Sequence, residues 1–322
     1  MAVILIVFRN LCIFSICLSL ASFPGHAADA QQALSAPART IQNILTTPRE
    51  QTDLARVKFT IDQIIDPTIE IDAGIQQIDD MARTVKRMAG VSATSMQKMQ
   101  AIRKFIYQAG DWNGHRPFQY DHTDPLGLKI SNKLMANYIS QRGGNCITMP
   151  FLFILLADRM GLDVTASTAP LHVFVKFTDD ATGATFNVET TSGANPARDI
   201  WYRQNMPMTE LALRNGVYMQ PLTRKETIVV MATVLVEYYL NQKQYDKTIE
   251  MAEMLLLHYP QSAYLHTKIG TAYHGMLNDN FYQRYPRLKD IPQQERQVYQ
   301  FWSEQNHMAF DKAEALGWQP PK

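Results

Sequence analysis

Cysteine is nearly absent from this 322-residue chain. There are three, and two of them, Cys12 and Cys17, fall within its first twenty residues. A large charge of either sign is absent too: 31 basic side chains balance 30 acidic ones. Such a balance gives no electrostatic footprint for nucleic acid or for an anionic membrane surface, so neither is expected as a partner. Beyond the N-terminal stretch there is no apolar run of the roughly 20 residues needed to span a bilayer. That N-terminal stretch has its own logic. Residues 1–8 are apolar, Arg9 brings a positive charge, residues 11–21 form a short apolar run, and Phe23-Pro24-Gly25-His26-Ala27 breaks it before small residues. This is the order of a secretory signal peptide. Cleavage is expected after Ala27, or as late as Ala30, which predicts a periplasmic or secreted protein with no stable membrane insertion. Cys146 is then the one thiol of an exported chain. It cannot close a disulfide within the chain, so it is buried and inert, paired between chains, or reactive.

What is present divides the chain into a signal peptide (1–27), a flexible lead-in (28–50), a core (51–222) and a C-terminal helical domain (223–322). Leu54, Val57, Ile61, Ile64 and Ile65 recur at helical spacing, as do Ile71, Ile75, Ile78 and Met81, with Pro67 between the two runs. Residues 94–108 read as a third helix, and residues 132–140 as a short one. Residues 149–156 are apolar on every side, which marks a central buried helix, and Gly161 is placed to stop it. The period then changes. Residues 172–177 and 185–189 alternate like strands around a polar turn at 179–183, predicting a β-hairpin. From about Lys225 the pattern returns to helices with a loose tetratricopeptide cadence, in which Leu235, Tyr239, Ala252, Leu255 and Pro260 fall near that repeat's characteristic positions. The polar loop 111–127 carries His115, Asp121, His122 and Asp124, but in no zinc or calcium spacing, so no metal is assigned to it.

The chemistry concentrates around Cys146. A thiol with an ordinary pKa of about 8.5 is only a few per cent thiolate at neutral pH, and the thiolate is the nucleophile. Three features of the sequence favour the anion. Gly143-Gly144-Asn145 is a lead-in with Asn145 as a cap, placing Cys146 within a turn of a helix start, whether that start is at the cap or, given Pro150, at Thr148. His172 can take the thiol proton and return it to a leaving group. Glu189 can orient that imidazole. If the hairpin pairs Phe177 with Ala184, Glu189 stands opposite His172; if the register shifts by two, Glu189 faces Phe174 and lies diagonal to His172 on the same face.

The segments Arg142-Gly143-Gly144-Asn145-Cys146-Ile147-Thr148-Met149-Pro150, Ala169-Pro170-Leu171-His172-Val173-Phe174-Val175 and Asn187-Val188-Glu189-Thr190-Thr191-Ser192-Gly193 resemble the transglutaminase-like superfamily. The closer resemblance is to its SirB1-type branch, whose members often carry tetratricopeptide-like helices behind the core. The resemblance implies an α+β fold: a papain/transglutaminase-like core with a helical N-terminal lobe, followed by a tetratricopeptide-like helical domain. It also implies Cys146 as nucleophile, His172 as general base and acid, and Glu189 as the orienting acid, where much of the superfamily has Asp. The expected function is amide or peptide hydrolysis, or acyl transfer, through a thioester on Cys146. It needs no metal and no organic cofactor, and its partner is a peptide or protein. The alternative is a catalytically silent peptide- or protein-binding module.

Overall fold

The computed structural model describes residues 34–320, so the expected signal peptide lies outside the described residues. The first element corrects the reading of 28–50 as a flexible lead-in. Ala36–Thr46 is a helix (α1). The Ser35 side chain accepts from the Ala38 N–H, Pro37 occupies the first turn, and Ala38, Ile41 and Leu45 bury one face. Small polar residues dominate this stretch and mask three apolar positions at helical spacing. Tertiary contact decides the outcome: Glu250 accepts from both the Ser35 backbone N–H (2.7 Å) and its hydroxyl (2.5 Å).

Three helices follow, as the apolar spacing predicts. They are α2 (Leu54–Ile65), capped by Asp53; α3 (Ile71–Ala89), ended by Gly90 at φ +92°; and α4 (Ser95–Tyr107), opened by a Thr94/Gln97 capping box. A two-residue strand β1 (Gln119–Tyr120), a short helix α5 (Met135–Gln141) and a second short strand β2 (Gly143–Gly144) lead to α6 (Thr148–Arg159). Every residue of α6 from Thr148 to Ala157 is buried. It packs against α2, α3 and α4 on one side. On the other it meets the first two strands of a four-stranded antiparallel sheet, β3 (Val164–Ala169), β4 (His172–Thr178), β5 (Thr185–Glu189) and β6 (Asn195–Ala197), paired in that order. Each fully buried large apolar side chain of α6 contributes roughly 1.5–3 kcal/mol to the core.

The hairpin takes the second of the two registers considered. Val175 pairs with Val188 and Thr178 with Thr185, so Glu189 stands diagonal to His172. Strands β3 and β6 were not anticipated. β3 reads Val-Thr-Ala-Ser-Thr-Ala, too small and polar to signal a strand. Pairing with β4 on one edge holds it, and on the other the N–H groups of Met219 and Leu222 donate to Thr168 and Ala166.

Short helices α7 (Asp199–Asn205) and α8 (Glu210–Arg214) lead to the C-terminal helices α9 (Arg224–Asn241), α10 (Tyr245–Leu256), α11 (Ala263–Leu277) and α12 (Arg296–Ala315). Each of the last four packs on the next, and α9 also packs on α2 and β3. Among the described residues, 35–320 thus form one compact unit. Ionic contacts reinforce its seams. Arg159 grips Asp53 through two hydrogen bonds (2.9 and 3.0 Å) and also holds Asp79 (2.7 Å), while Arg224 reaches Asp158 (2.7 Å). A fully buried Lys58–Asp62 pair ties α2 to the segment before α5: Lys58 donates to the Lys133 carbonyl (2.9 Å) and Asp62 accepts from the Met135 N–H (2.7 Å). Among the described residues no helix is long and apolar enough to cross a membrane.

Candidate active site

The thiol turn is built between β2 and α6. β1 and β2 pair in parallel, Gln119 with Gly143 and Tyr120 with Gly144. A Cβ on Gly144 would lie 2.5 Å from the Tyr138 ring and from Thr148 Oγ1, so the backbone passes where only glycine fits. At Gly143 the nearest atom would be 3.7 Å away, and no such demand exists. Asn145 is fully buried, and its side-chain oxygen accepts from the N–H groups of Ile147 (3.0 Å) and Thr148 (3.4 Å). Thr148 Oγ1 in turn accepts from the Asn145 N–H (3.2 Å) and donates to the Asn132 carbonyl (3.1 Å). With the helix starting at Thr148, Pro150 falls in its first turn, where an N–H has no intrahelical partner to lose. Cys146 stands two residues before that start, partly exposed, with its Sγ 3.8 Å from the Leu171 carbonyl.

The structure brings the three residues singled out by sequence together. His172 opens β4 after a two-residue turn in which Leu171 takes φ +56°, a left-handed conformation that a leucine side chain disfavours. Nε2 of the imidazole meets Glu189 Oε2 at 2.8 Å, and the Cys146 thiol lies close enough to influence the protonation of the ring. With Nε2 on the carboxylate, Nδ1 is the ring nitrogen left to exchange a proton with a neighbouring group. Both side chains are sheltered, His172 at 9 % and Glu189 at 4 % exposure. Burial pushes the imidazolium towards losing its proton. The hydrogen bonds with Cys146 and Glu189, and the negative charge beside them, outweigh that and raise His172 to about 9. Burial likewise works against the Glu189 carboxylate, yet His172 and Thr191 together hold it below the usual glutamate range.

Two partners of Glu189 escaped the sequence reading. Thr191 donates to Oε1 from its backbone N–H (2.9 Å) and its hydroxyl (2.5 Å), and the buried Tyr202 hydroxyl donates to Oε2 (3.0 Å). The Thr191 contact is a local turn motif, legible in principle from an acidic residue two positions before a threonine. Tyr202 comes from α7 and is placed by stacking on Phe174, with ring centroids 4.1 Å apart. Nothing in the sequence joins it to Glu189. Four donors on two oxygens fix the carboxylate, and through it the imidazole.

The polar loop is used for architecture. Asp121 and Asp124 both accept from Asn132 Nδ2 (2.8 and 2.9 Å), Asp124 also takes the Leu128 N–H (2.8 Å), and His115 pairs with Asp111 (2.8 Å). Among the described residues no group of three or more His, Cys, Asp or Glu side chains is placed to hold a metal.

A comparison with protein families matches residues 72–232 to the transglutaminase-like superfamily. The chain belongs to this superfamily. The matched residues run from α3 into α9, so this transglutaminase-like domain includes the thiol turn, α6 and the whole sheet. The mixed helical and sheet architecture agrees with the α+β fold expected of it. No curated protein and no solved structure gives a significant match to the chain.

Proposed function

We propose that this is an exported, cysteine-dependent amide or peptide hydrolase, or an acyltransferase, acting through a thioester on Cys146. The observation that carries the reading is the sheltered His172 imidazole bound to the Glu189 carboxylate at 2.8 Å, with the Cys146 thiol held against the Leu171 carbonyl next to it in sequence. In this scheme the resting pair is thiolate and imidazolium. Sulfur attacks the substrate carbonyl carbon, the C–N bond breaks, and Nδ1–H of His172 gives its proton to the departing amine. The now neutral imidazole takes a proton from water or from an incoming amine. That nucleophile attacks the thioester, and the C–S bond breaks to restore thiolate and imidazolium. Glu189 holds the ring and balances its charge throughout, and the Cys146 backbone N–H is the proposed donor to the oxyanion. Within the superfamily we place the chain in the SirB1-type branch, with α9 to α12 as tetratricopeptide-like helices behind a core of about residues 51–222.

A second reading, a binding module without catalysis, draws on Val298, Phe301 and Met308 of α12, all exposed. One experiment separates the two. Iodoacetamide should alkylate Cys146 rapidly at pH 6, and His172→Ala should abolish that advantage. Slow alkylation typical of a free thiol, unchanged by the substitution, overturns the catalytic reading.

A further inference from the structure

Beside the thiol the chain accepts an unfavourable backbone to hold a leucine in water. Ala169 pairs with His172 across the turn from β3 to β4, leaving Pro170 and Leu171 as its two residues. A proline followed by a positive φ is the pattern of a type II turn, whose second position favours glycine or asparagine. This chain has Leu171 there, at φ +56°. Burial does not offset the strain, because Leu171 is 70 % exposed. Its carbonyl oxygen lies 3.8 Å from Cys146 Sγ. Two covalent bonds, at most about 2.8 Å, separate that oxygen from the Leu171 Cα, so the side chain starts within about 7 Å of the sulfur. Cys146 is itself partly exposed, so one ligand can touch both.

A second pair of leucines borders the same turn through Asn145, the residue before Cys146. A Cβ on Gly127 would lie 3.4 Å from Asn145 Nδ2, and on either side of that glycine Leu126 and Leu128 are 79 % and 70 % exposed. Their loop is pinned. The Asp124 carbonyl accepts from the Gly127 N–H (3.0 Å), its carboxylate takes the N–H groups of Leu128 (2.8 Å) and Lys129 (3.1 Å), and the Tyr120 hydroxyl donates to the Pro125 carbonyl (3.1 Å). The loop's charged groups are engaged within it or by Asn132: Asp121 and Asp124 accept from Asn132 Nδ2, and Lys129 Nζ donates to Thr123. What remains to meet a ligand is apolar. A single exposed leucine is ordinary on a protein surface. Three leucines on two segments that touch residues 145 and 146, one of them held against backbone preference, are a built feature.

We propose that Leu171, with Leu126 and Leu128, binds an apolar side chain of the acyl donor, so that the site selects peptides or amides in which a leucine-like residue contributes the scissile carbonyl. The proposal rests on the thiol-site reading above and names its substrate class. The strained turn then has two uses: it sets the Leu171 carbonyl against the sulfur and leaves the Leu171 side chain open to the ligand.

The test compares acetyl-leucine chloromethyl ketone with acetyl-glycine chloromethyl ketone as alkylators of Cys146 in the intact protein, each rate divided by that with glutathione. In both, a sulfur–carbon bond forms at the CH2 group as chloride leaves, so only the side chain differs. The leucine probe should react about tenfold faster, the factor expected when about 55 Å² of apolar surface leaves water. Leu171→Gly and Leu171→Asn both suit a positive φ, so both should melt at or above the parent temperature. Both should reduce the ratio to about two or less. Equal rates in the parent, a ratio that survives both substitutions, or a ratio lost only in variants that melt below the parent, overturn the proposal. If iodoacetamide alkylates Cys146 slowly and His172→Ala changes nothing, the catalytic reading fails, whereas the leucine-to-glycine ratio still decides whether the apolar subsite exists.

Discussion

Glu189→Gln isolates the charge that holds His172. The imidazole is raised from 6.5 to about 9. At about 1.4 kcal/mol per tenfold change, that difference favours the imidazolium by roughly 3 kcal/mol after burial has been overcome. Glutamine preserves the length of the side chain and one accepting oxygen but removes the negative charge, leaving burial opposed by Cys146 alone. His172 should then titrate at or below its ordinary value. The effect on stability has a definite sign. A histidine raised in the folded state stabilises fully below its unfolded pKa, near 6.5, and that contribution is lost as pH rises through about 9. Glu189, lowered in the folded state, stabilises above its ordinary 4.5, and its share is lost as pH falls. The gap in unfolding free energy between parent and variant should therefore be widest between about pH 5 and 7, at about 2–3 kcal/mol, and should close towards pH 10. Urea denaturation at several pH values measures the gap, and NMR titration of the His172 ring measures the protonation directly. The alkylation rate of Cys146 at pH 6 should fall by about a hundredfold, the lower range for loss of acid–base function. A gap that stays constant from pH 6 to 10, with the His172 titration unmoved, refutes the reasoning.

Three further predictions concern the supports of the site. Gly144→Ala should destabilise by about 1–3 kcal/mol and slow alkylation of Cys146, whereas Gly143→Ala should do neither; thermal melts of the pair, read beside their alkylation rates, check the asymmetry. Tyr202→Phe removes one of four donors to Glu189 and should cost about 1–2 kcal/mol, with the His172 titration shifting; a stability loss without that shift would limit Tyr202 to packing. Asp62→Asn leaves Lys58 buried beside a neutral amide, and chemical denaturation should report a loss of about 3–5 kcal/mol.

The elements whose burial is written into local pattern were legible in advance. α6 is apolar on every side, so its place in the core follows from composition alone, and the hairpin announces itself by alternation around a polar turn. The positions of Cys146, His172 and Glu189 on those elements followed. The hairpin register did not, because a shift of two residues satisfies the same alternation; the Asp179 N–H, which donates to the Ala184 carbonyl (2.9 Å), belongs to one of the two registers only. β3 was invisible because its stability comes from neighbours rather than side chains, and α1 because its anchor, Glu250, lies more than 200 residues away. Tyr202 was invisible for the same reason: it acquires its meaning from a contact made only in the folded chain.

The way the Asn145 and Thr148 side chains close the thiol turn has a consequence for how such proteins diverge. The turn is held by amide, hydroxyl and backbone groups, and the sulfur contributes only a long contact to the Leu171 carbonyl. Loss of the thiol by a single codon change therefore leaves the framework standing, with its imidazole and its orienting carboxylate intact. On the proposed catalytic reading, a descendant gene can relinquish turnover in one step and still encode a stably folded protein. On the same reading, the reverse step, which restores a cysteine to that framework, is equally short.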